Sequence, residues 1–237
     1  MSPARRSPRR PAAAPSGEAG TGRLQVRRLP ERPAAAVLVL HGGRADSLRP
    51  VPRLSLPELR MRFFASEIAR RSWGGGVLLA QVRYRFRGWN GHRADPARDA
   101  AQALDALAEL APGVPVVLLG HSMGARAALT AARHDAVRGV VALAPWCPPG
   151  DTVAHLYGKA VVLLHDEADR VTSARQTREF ADRAAAAGAD VRFVAMPTGG
   201  HAMLRGARHW HRLATDCTAA ILTRSANPAP TARRQGT

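Results

Sequence analysis

Lysine is almost missing from this chain: Lys159 is the only one in 237 residues, and arginine supplies every other fixed cation. That replacement, together with abundant alanine, looks like a GC-rich coding bias, so the net charge of +17 loses weight as a sign of nucleic-acid binding. The charge is also concentrated at the ends. Residues 1–33 hold eight arginines against two glutamates, and residues 224–237 hold three arginines and no acid, which accounts for nine of the seventeen charges. Cysteine is scarce: Cys147 and Cys217 lie far apart, with no CxxC pair and no metal-ligand spacing. Two reduced thiols in a cytoplasmic protein are therefore expected, rather than a disulfide framework or a metal centre. No run approaches the ~20 apolar residues of a membrane span. The basic start, Arg5-Arg6 to Arg9-Arg10, is followed by Ala, Pro, Gly and Ser instead of the apolar stretch of a secretory signal.

What is present is a regular alternation. Residues 1–22 read as a disordered basic arm, 23–225 as one domain and 226–237 as a disordered tail. A chain of this size buries roughly 70% of its unfolded surface in one core. Leu24 to Leu29 alternates apolar and polar residues as an edge strand does. The runs 35–40, 76–82, 114–119, 139–143, 160–164 and 191–194 are instead mostly apolar throughout, as in parallel strands covered on both faces. Helical spacing fills the gaps at 57–72, 96–110, 123–134, 173–187 and 201–223. Strand alternating with helix predicts an α/β fold with a mostly parallel central sheet and helices on both faces.

One junction stands out. Val116-Val117-Leu118-Leu119-Gly120-His121-Ser122-Met123-Gly124 is a strand run delivering Ser122 into a glycine-flanked turn ahead of an alanine-rich helix. Such a turn projects a serine oxygen from the sheet edge, and a larger residue at Gly120 or Gly124 would clash across it. A serine hydroxyl is a poor nucleophile unless a base takes its proton, a third group orients that base, and N–H donors await the oxyanion. Functional groups in an open parallel sheet gather beyond the carboxyl ends of the strands. Asp169 lies there, in His165-Asp166-Glu167-Ala168-Asp169, and is the preferred acid, with Asp166 and Glu167 competing. His201 lies there too, behind Gly199-Gly200, at the expected start of the last helix. His209 and His211, two apart and so on different helix faces, read as ordinary helix residues. His41-Gly42-Gly43-Arg44 follows the first buried strand. Gly43 is one candidate oxyanion donor, and the amide of Met123, at a helix N-terminus, is the other.

With the HGG turn, the GHSMG elbow, the HDEAD loop and the GGHAM turn in this order, the chain resembles the α/β-hydrolase superfamily. It looks most like small actinobacterial-type serine hydrolases, from about Leu24 to Leu222. Arg83-Tyr84-Arg85, Gly88 to Gly91 and Leu143 to Trp146 look like loop sequences of that family. The resemblance implies Ser122 as nucleophile, Asp169 as acid, His201 as base, and Gly43 with Met123 as the oxyanion hole. The family often has Gly where this chain has Asp166 and Ala125, so a carboxylate at 166 either shares the acid's role or faces solvent. Only Pro145 to Gly158 stands where many relatives insert a lid, so a large lid is absent.

The expected function is hydrolysis of a carboxylic ester or thioester of a small or soluble substrate through an acyl-enzyme, with no cofactor. Arg44, Trp89, Asn90 and Trp146 are expected to frame the substrate pocket. Two other classes remain open: a non-catalytic binding protein on the same scaffold, and a polyanion binder using the arginine-rich tails. No specific nucleic acid is expected as partner, and any such binding should depend on the tails and on salt.

Overall fold

The computed structural model describes residues 23–52, 55–71 and 76–226. The arm expected at 1–22 and the tail expected at 226–237 lie outside the described residues, save Ala226, which ends the last helix instead of opening a tail. Seven strands form one sheet: β1 (Leu24–Arg28), β2 (Ala35–Leu40), β3 (Val77–Val82), β4 (Val116–His121), β5 (Val137–Leu143), β6 (Ala160–Asp166) and β7 (Asp190–Met196). Their order is β1-β3-β2-β4-β5-β6-β7, with β1 antiparallel to β3 and every other pair parallel. The α/β reading from the sequence therefore holds.

Why the strands are apolar throughout follows from the layers. Ala36, Leu38 and Leu40 of β2, with Val116 and Leu118 of β4, pack with α2 (Asp95–Leu110), α3 (Met123–Ala131) and α4 (Ala174–Ala186) on one face. Val37, Val39, Val117 and Leu119 point the other way. There they meet Met61, Phe64 and Ile68 of α1 (Leu56–Arg71) and Trp210, Ala214 and Ile221 of α5 (Ala207–Ala226). Each fully buried Leu, Val or Phe contributes about 1.5–3 kcal/mol of transfer free energy, and polar alternation would forfeit one face's share. β7 is the exception: it ends the sheet, and its residues from Asp190 to Ala195 are exposed or only half-buried. The apolar run at 191–194 is thus an edge rather than a strand covered on both faces.

The order in which strands are added reverses between the parallel neighbours β2 and β4. The chain leaves β2 for β3 on one side and returns to β4 on the other, so the loops after β2 and β4 part at a crevice. That is where the HGG turn and the GHSMG elbow meet. Among the described residues, no helix is long and apolar enough to cross a membrane.

Candidate active site

Ser122 follows directly on β4 with φ 56° and ψ −121°, a backbone conformation that residues other than glycine rarely adopt. The turn is possible because its flanks are glycine. A Cβ on Gly120 would fall 2.6 Å from Ala125 Cα, and one on Gly124 would fall 2.4 Å from the His41 carbonyl oxygen. Backbone bonds lock the elbow: the Ser122 amide donates to the Leu143 carbonyl at 3.0 Å, and the Ser122 carbonyl accepts from Arg126 at 3.1 Å and Trp146 at 3.3 Å. The hydroxyl makes no capping bond to α3. It faces His201 instead, with Oγ 2.9 Å from Nε2.

His201 does not begin a helix, as its sequence context suggests; α5 starts at Ala207. Gly199, Gly200, Met203 and Gly206 all have positive φ, so the chain turns repeatedly before a helix can form. The turn is anchored behind by Trp210, whose indole donates to the Thr198 carbonyl at 2.8 Å. It is anchored in front by Asp166, whose Oδ2 accepts from the Gly200 amide at 2.7 Å. From the other side His121 donates through Nε2 to the His201 carbonyl at 2.9 Å.

Of the three carboxylates weighed from the sequence, Asp169 is the one that reaches the imidazole: its Oδ2 accepts from His201 Nδ1 at 2.8 Å. Asp166 holds the histidine turn and the Ala168 amide, and Glu167 pairs with Arg178 in solvent. The Asp169 side chain is fully buried. Burial alone would raise its pKa. Donation by His165, His201 and the amides of Val171 and Thr172 outweighs that and holds the carboxyl well below the usual range. A chain of hydrogen bonds therefore runs from an ionised Asp169 through His201 to the Ser122 hydroxyl, an arrangement able to draw a proton off the serine.

Next to Ser122, the amides of Gly43 and Met123 have no hydrogen-bond acceptor among the described residues. The two residues are in contact: a Cβ on Gly43 would lie 2.4 Å from Met123 Cε. The turn stays open because Arg44 bonds to the loop opposite, its amide to Arg87 at 2.8 Å and its carbonyl to Trp89 at 3.0 Å. Beneath the turn, His41 donates through Nδ1 to the Gly42 carbonyl at 2.8 Å. Burial lowers the His41 pKa, which keeps that ring a neutral spacer.

A family model described as serine aminopeptidase, S33, matches residues 86–161, the stretch that contains the elbow. A search of curated proteins found no match. Among solved structures, the chain is similar to a putative alpha/beta hydrolase from Agrobacterium tumefaciens (TM-score 0.67, 18% identity, covering 87% of this chain and 94% of that one). It is similar to a protein from Xanthomonas campestris described as an a/b serine hydrolase without lid (TM-score 0.59, 16% identity, 83% and 87% covered). Ferulic acid-bound Est1E from Butyrivibrio proteoclasticus also matches (TM-score 0.61, 12% identity, 84% and 95% covered). The chain has the α/β-hydrolase fold.

In many α/β hydrolases a lid rises between the strands corresponding to β5 and β6, as the resemblance implies. Here that connection holds one 3₁₀ turn, Ala154–Leu156, and nothing larger. The four expected pocket residues separate into two kinds. Arg44 is exposed and Trp146 half-buried. Trp89 is buried, with the Arg126 guanidinium 4.0 Å from its ring centroid and 4.4 Å from that of Trp146. Asn90 sits in left-handed backbone, with Oδ1 accepting from the Ser47 amide and Nδ2 donating to Asp95, both at 2.8 Å. The Asn90 amide is therefore committed to tying two loops together, and Arg126, fixed by two 2.8 Å bonds to Asp151, ties the two indoles. Sequence reasoning missed Arg126, His121 and His165. The signal for the two histidines is a polar residue closing an apolar strand run, at Leu119-Gly120-His121 and Leu164-His165. His209 and His211 behave as expected of helix residues: His211 stacks on Phe64 with centroids 3.9 Å apart, and His209 bonds to Arg212.

His121 carries a pH consequence. Burial, then the neighbouring His201, pushes its pKa down to about 3. Between pH 6.5 and about 3 the unfolded chain binds a proton that the folded ring refuses, so stability rises with pH in that window and falls on acidification. From pH 7 to pH 5, His121→Gln should remove about 2 kcal/mol of the wild type's loss of unfolding free energy. Urea unfolding at the two pH values measures this; an identical loss in both proteins would contradict it.

Proposed function

We propose that this protein is a serine hydrolase that cleaves a carboxylic ester or thioester of a small or soluble substrate, with Ser122 as nucleophile, His201 as general base and Asp169 as the acid that orients it. The observation that carries the reading is the unbroken chain of short contacts, 2.9 Å from Ser122 Oγ to His201 Nε2 and 2.8 Å from His201 Nδ1 to Asp169 Oδ2. It is supported by the family model over the elbow and by the fold shared with α/β hydrolases.

In this mechanism Ser122 Oγ attacks the carbonyl carbon as His201 Nε2 takes the hydroxyl proton. The carbonyl oxygen, now negative, is received by the amides of Gly43 and Met123, at the N-terminus of α3 where the helix dipole also favours an anion. His201 then gives its proton to the leaving group, and an ester of Ser122 remains. A water deprotonated by His201 attacks that ester, and the acid product leaves as the proton returns to Ser122. Throughout, Asp169 stays ionised, holds the proton on Nδ1 and stabilises the imidazolium.

The connection between β5 and β6, which holds nothing larger than the turn Ala154–Leu156, leaves the crevice uncovered and favours small or soluble substrates. Arg44 and Trp146 are the proposed rim contacts. On a series of p-nitrophenyl esters, kcat/KM is expected to be highest for two- to four-carbon acyl groups and at least about tenfold lower for a sixteen-carbon one, since even a single misfitted methylene is worth about 1–3 kcal/mol. A rise with chain length would overturn the small-substrate part of the reading, and no turnover of any ester or thioester would overturn the whole.

A further inference from the structure

Asp169 is approached by a second imidazole that the mechanism above does not use. His165 is the sixth residue of β6 and is fully buried, and its Nε2 lies 3.3 Å from the same Oδ2 that accepts from His201. Its other nitrogen lies 2.8 Å from Thr177 Oγ1 on α4. Thr172 completes the cluster, with Oγ1 2.9 Å from Asp169 Oδ2, 3.3 Å from His165 Nε2 and 3.2 Å from the Ala144 carbonyl.

The protons can be assigned. The Thr172 hydroxyl has one, and the ionised carboxylate is both its nearest acceptor, at 2.9 Å, and its strongest. The His165 Nε2 lone pair then has no donor left. With Nε2 bare it would face Oδ2 lone pair to lone pair between two side chains closed to solvent, so Nε2 carries the hydrogen; Nδ1 then accepts from Thr177, whose one hydroxyl proton has this nearer acceptor at 2.8 Å against the Ser173 carbonyl at 3.2 Å. We infer that His165 is a positioning residue which, as the Nε2–H tautomer, donates to Asp169 Oδ2 and so limits how strongly Asp169 attracts the proton of His201. This rests on the proposed roles of Ser122, His201 and Asp169. The other titratable groups around the cluster are fixed elsewhere. Asp166 is held by Gly200 and Ala168, His121 by the His201 carbonyl, and Cys147, beside Thr177, is kept a thiol by burial that pushes its pKa up to about 12.

Removing the His165 donor leaves Asp169 a stronger attractor of positive charge. His201 then holds its proton to higher pH, and the free base needed for attack appears later on the pH scale. The test is the pH dependence of acylation by a fluorophosphonate probe, which needs no knowledge of the substrate. The acid limb for His165→Leu is expected ~0.5–1 unit above wild type. For His165→Gln, which places an N–H₂ at the depth of Nε2, it should return to the wild-type position. An unmoved limb in His165→Leu, or an equal shift in both variants, overturns the inference. If either variant fails to fold, ¹⁵N-edited NMR of the imidazoles in the unsubstituted protein decides. A hydrogen on His165 Nε2 and none on Nδ1 is expected, and the opposite tautomer overturns it. A wild-type chain that the probe never labels would sink the hydrolase reading, while the NMR result still judges the tautomer.

Discussion

Ser122→Ala is expected to lower the turnover of any ester substrate by about 10⁴–10⁶ while leaving the fold intact. The size follows from what is lost: no other hydroxyl stands within bonding reach of His201 Nε2 among the described residues, so the base has nothing to activate but solvent. The fold is spared because the hydroxyl caps nothing in α3, and the bonds that lock the elbow come from the backbone of Ser122, Arg126 and Trp146. Alanine meets the same positive φ that serine already tolerates. Tm should therefore stay within about 3 °C, the shift that corresponds to roughly 1 kcal/mol in a domain of this size. Steady-state kinetics beside calorimetry checks both halves. A comparable loss of Tm would mean that the inactivity is unfolding, and retained turnover would place the nucleophile elsewhere.

Asp169→Asn is expected to be nearly as damaging to catalysis, about 10⁴ in kcat, and unlike Ser122→Ala it should also destabilise. Every contact of this carboxylate is with a donor. Oδ1 accepts from the amides of Val171 at 2.7 Å and Thr172 at 3.1 Å, and Oδ2 faces His201, the Thr172 hydroxyl and His165. An asparagine must point its N–H₂ at one of these two groups, setting donor against donor whichever way it flips. If the amide nitrogen faces Oδ2's partners, His201 is driven to the tautomer with its hydrogen on Nε2, which cannot accept from serine. If it faces Oδ1's partners, the turn at 169–172 loses the bonds that shape it. Leaving buried polar groups unpaired costs about 1–3 kcal/mol each, so Tm should fall by several degrees. Wild-type stability with the same kinetic loss would show that the turn tolerates the amide. Wild-type kinetics would remove Asp169 from the chain of proton control, and Asp166 would be the next carboxylate to test.

Much of this was legible in the sequence because the signals were redundant. Strands β2 to β6 are apolar on both faces, and the GHSMG glycines announce a turn with no room for a Cβ. The order of serine, carboxylate and histidine matches the order in which strand ends deliver them. Other features depend on geometry that no residue pattern encodes. The stretch from His201 looks like a helix start, yet positive φ at Met203 and Gly206 defers α5 to Ala207. Asn90 looks like a polar pocket residue, yet a left-handed backbone turns its amide to Ser47 and Asp95. β6 extends two residues beyond its apolar run, to Asp166, and this places His165 inside the sheet and under Asp169 rather than in a loop. Arg126 reads as one more surface arginine in a chain full of them, while the fold lays it between two indoles.

Whether the Ser122 hydroxyl is made reactive by its neighbours is measured most directly by intact-mass analysis after exposure to a fluorophosphonate, with the modified peptide sequenced. A single adduct per chain, located on Ser122 and lost in both Ser122→Ala and His201→Ala, is the predicted result. An adduct on another residue, or ester hydrolysis that proceeds while Ser122 remains unmodified, would contradict it.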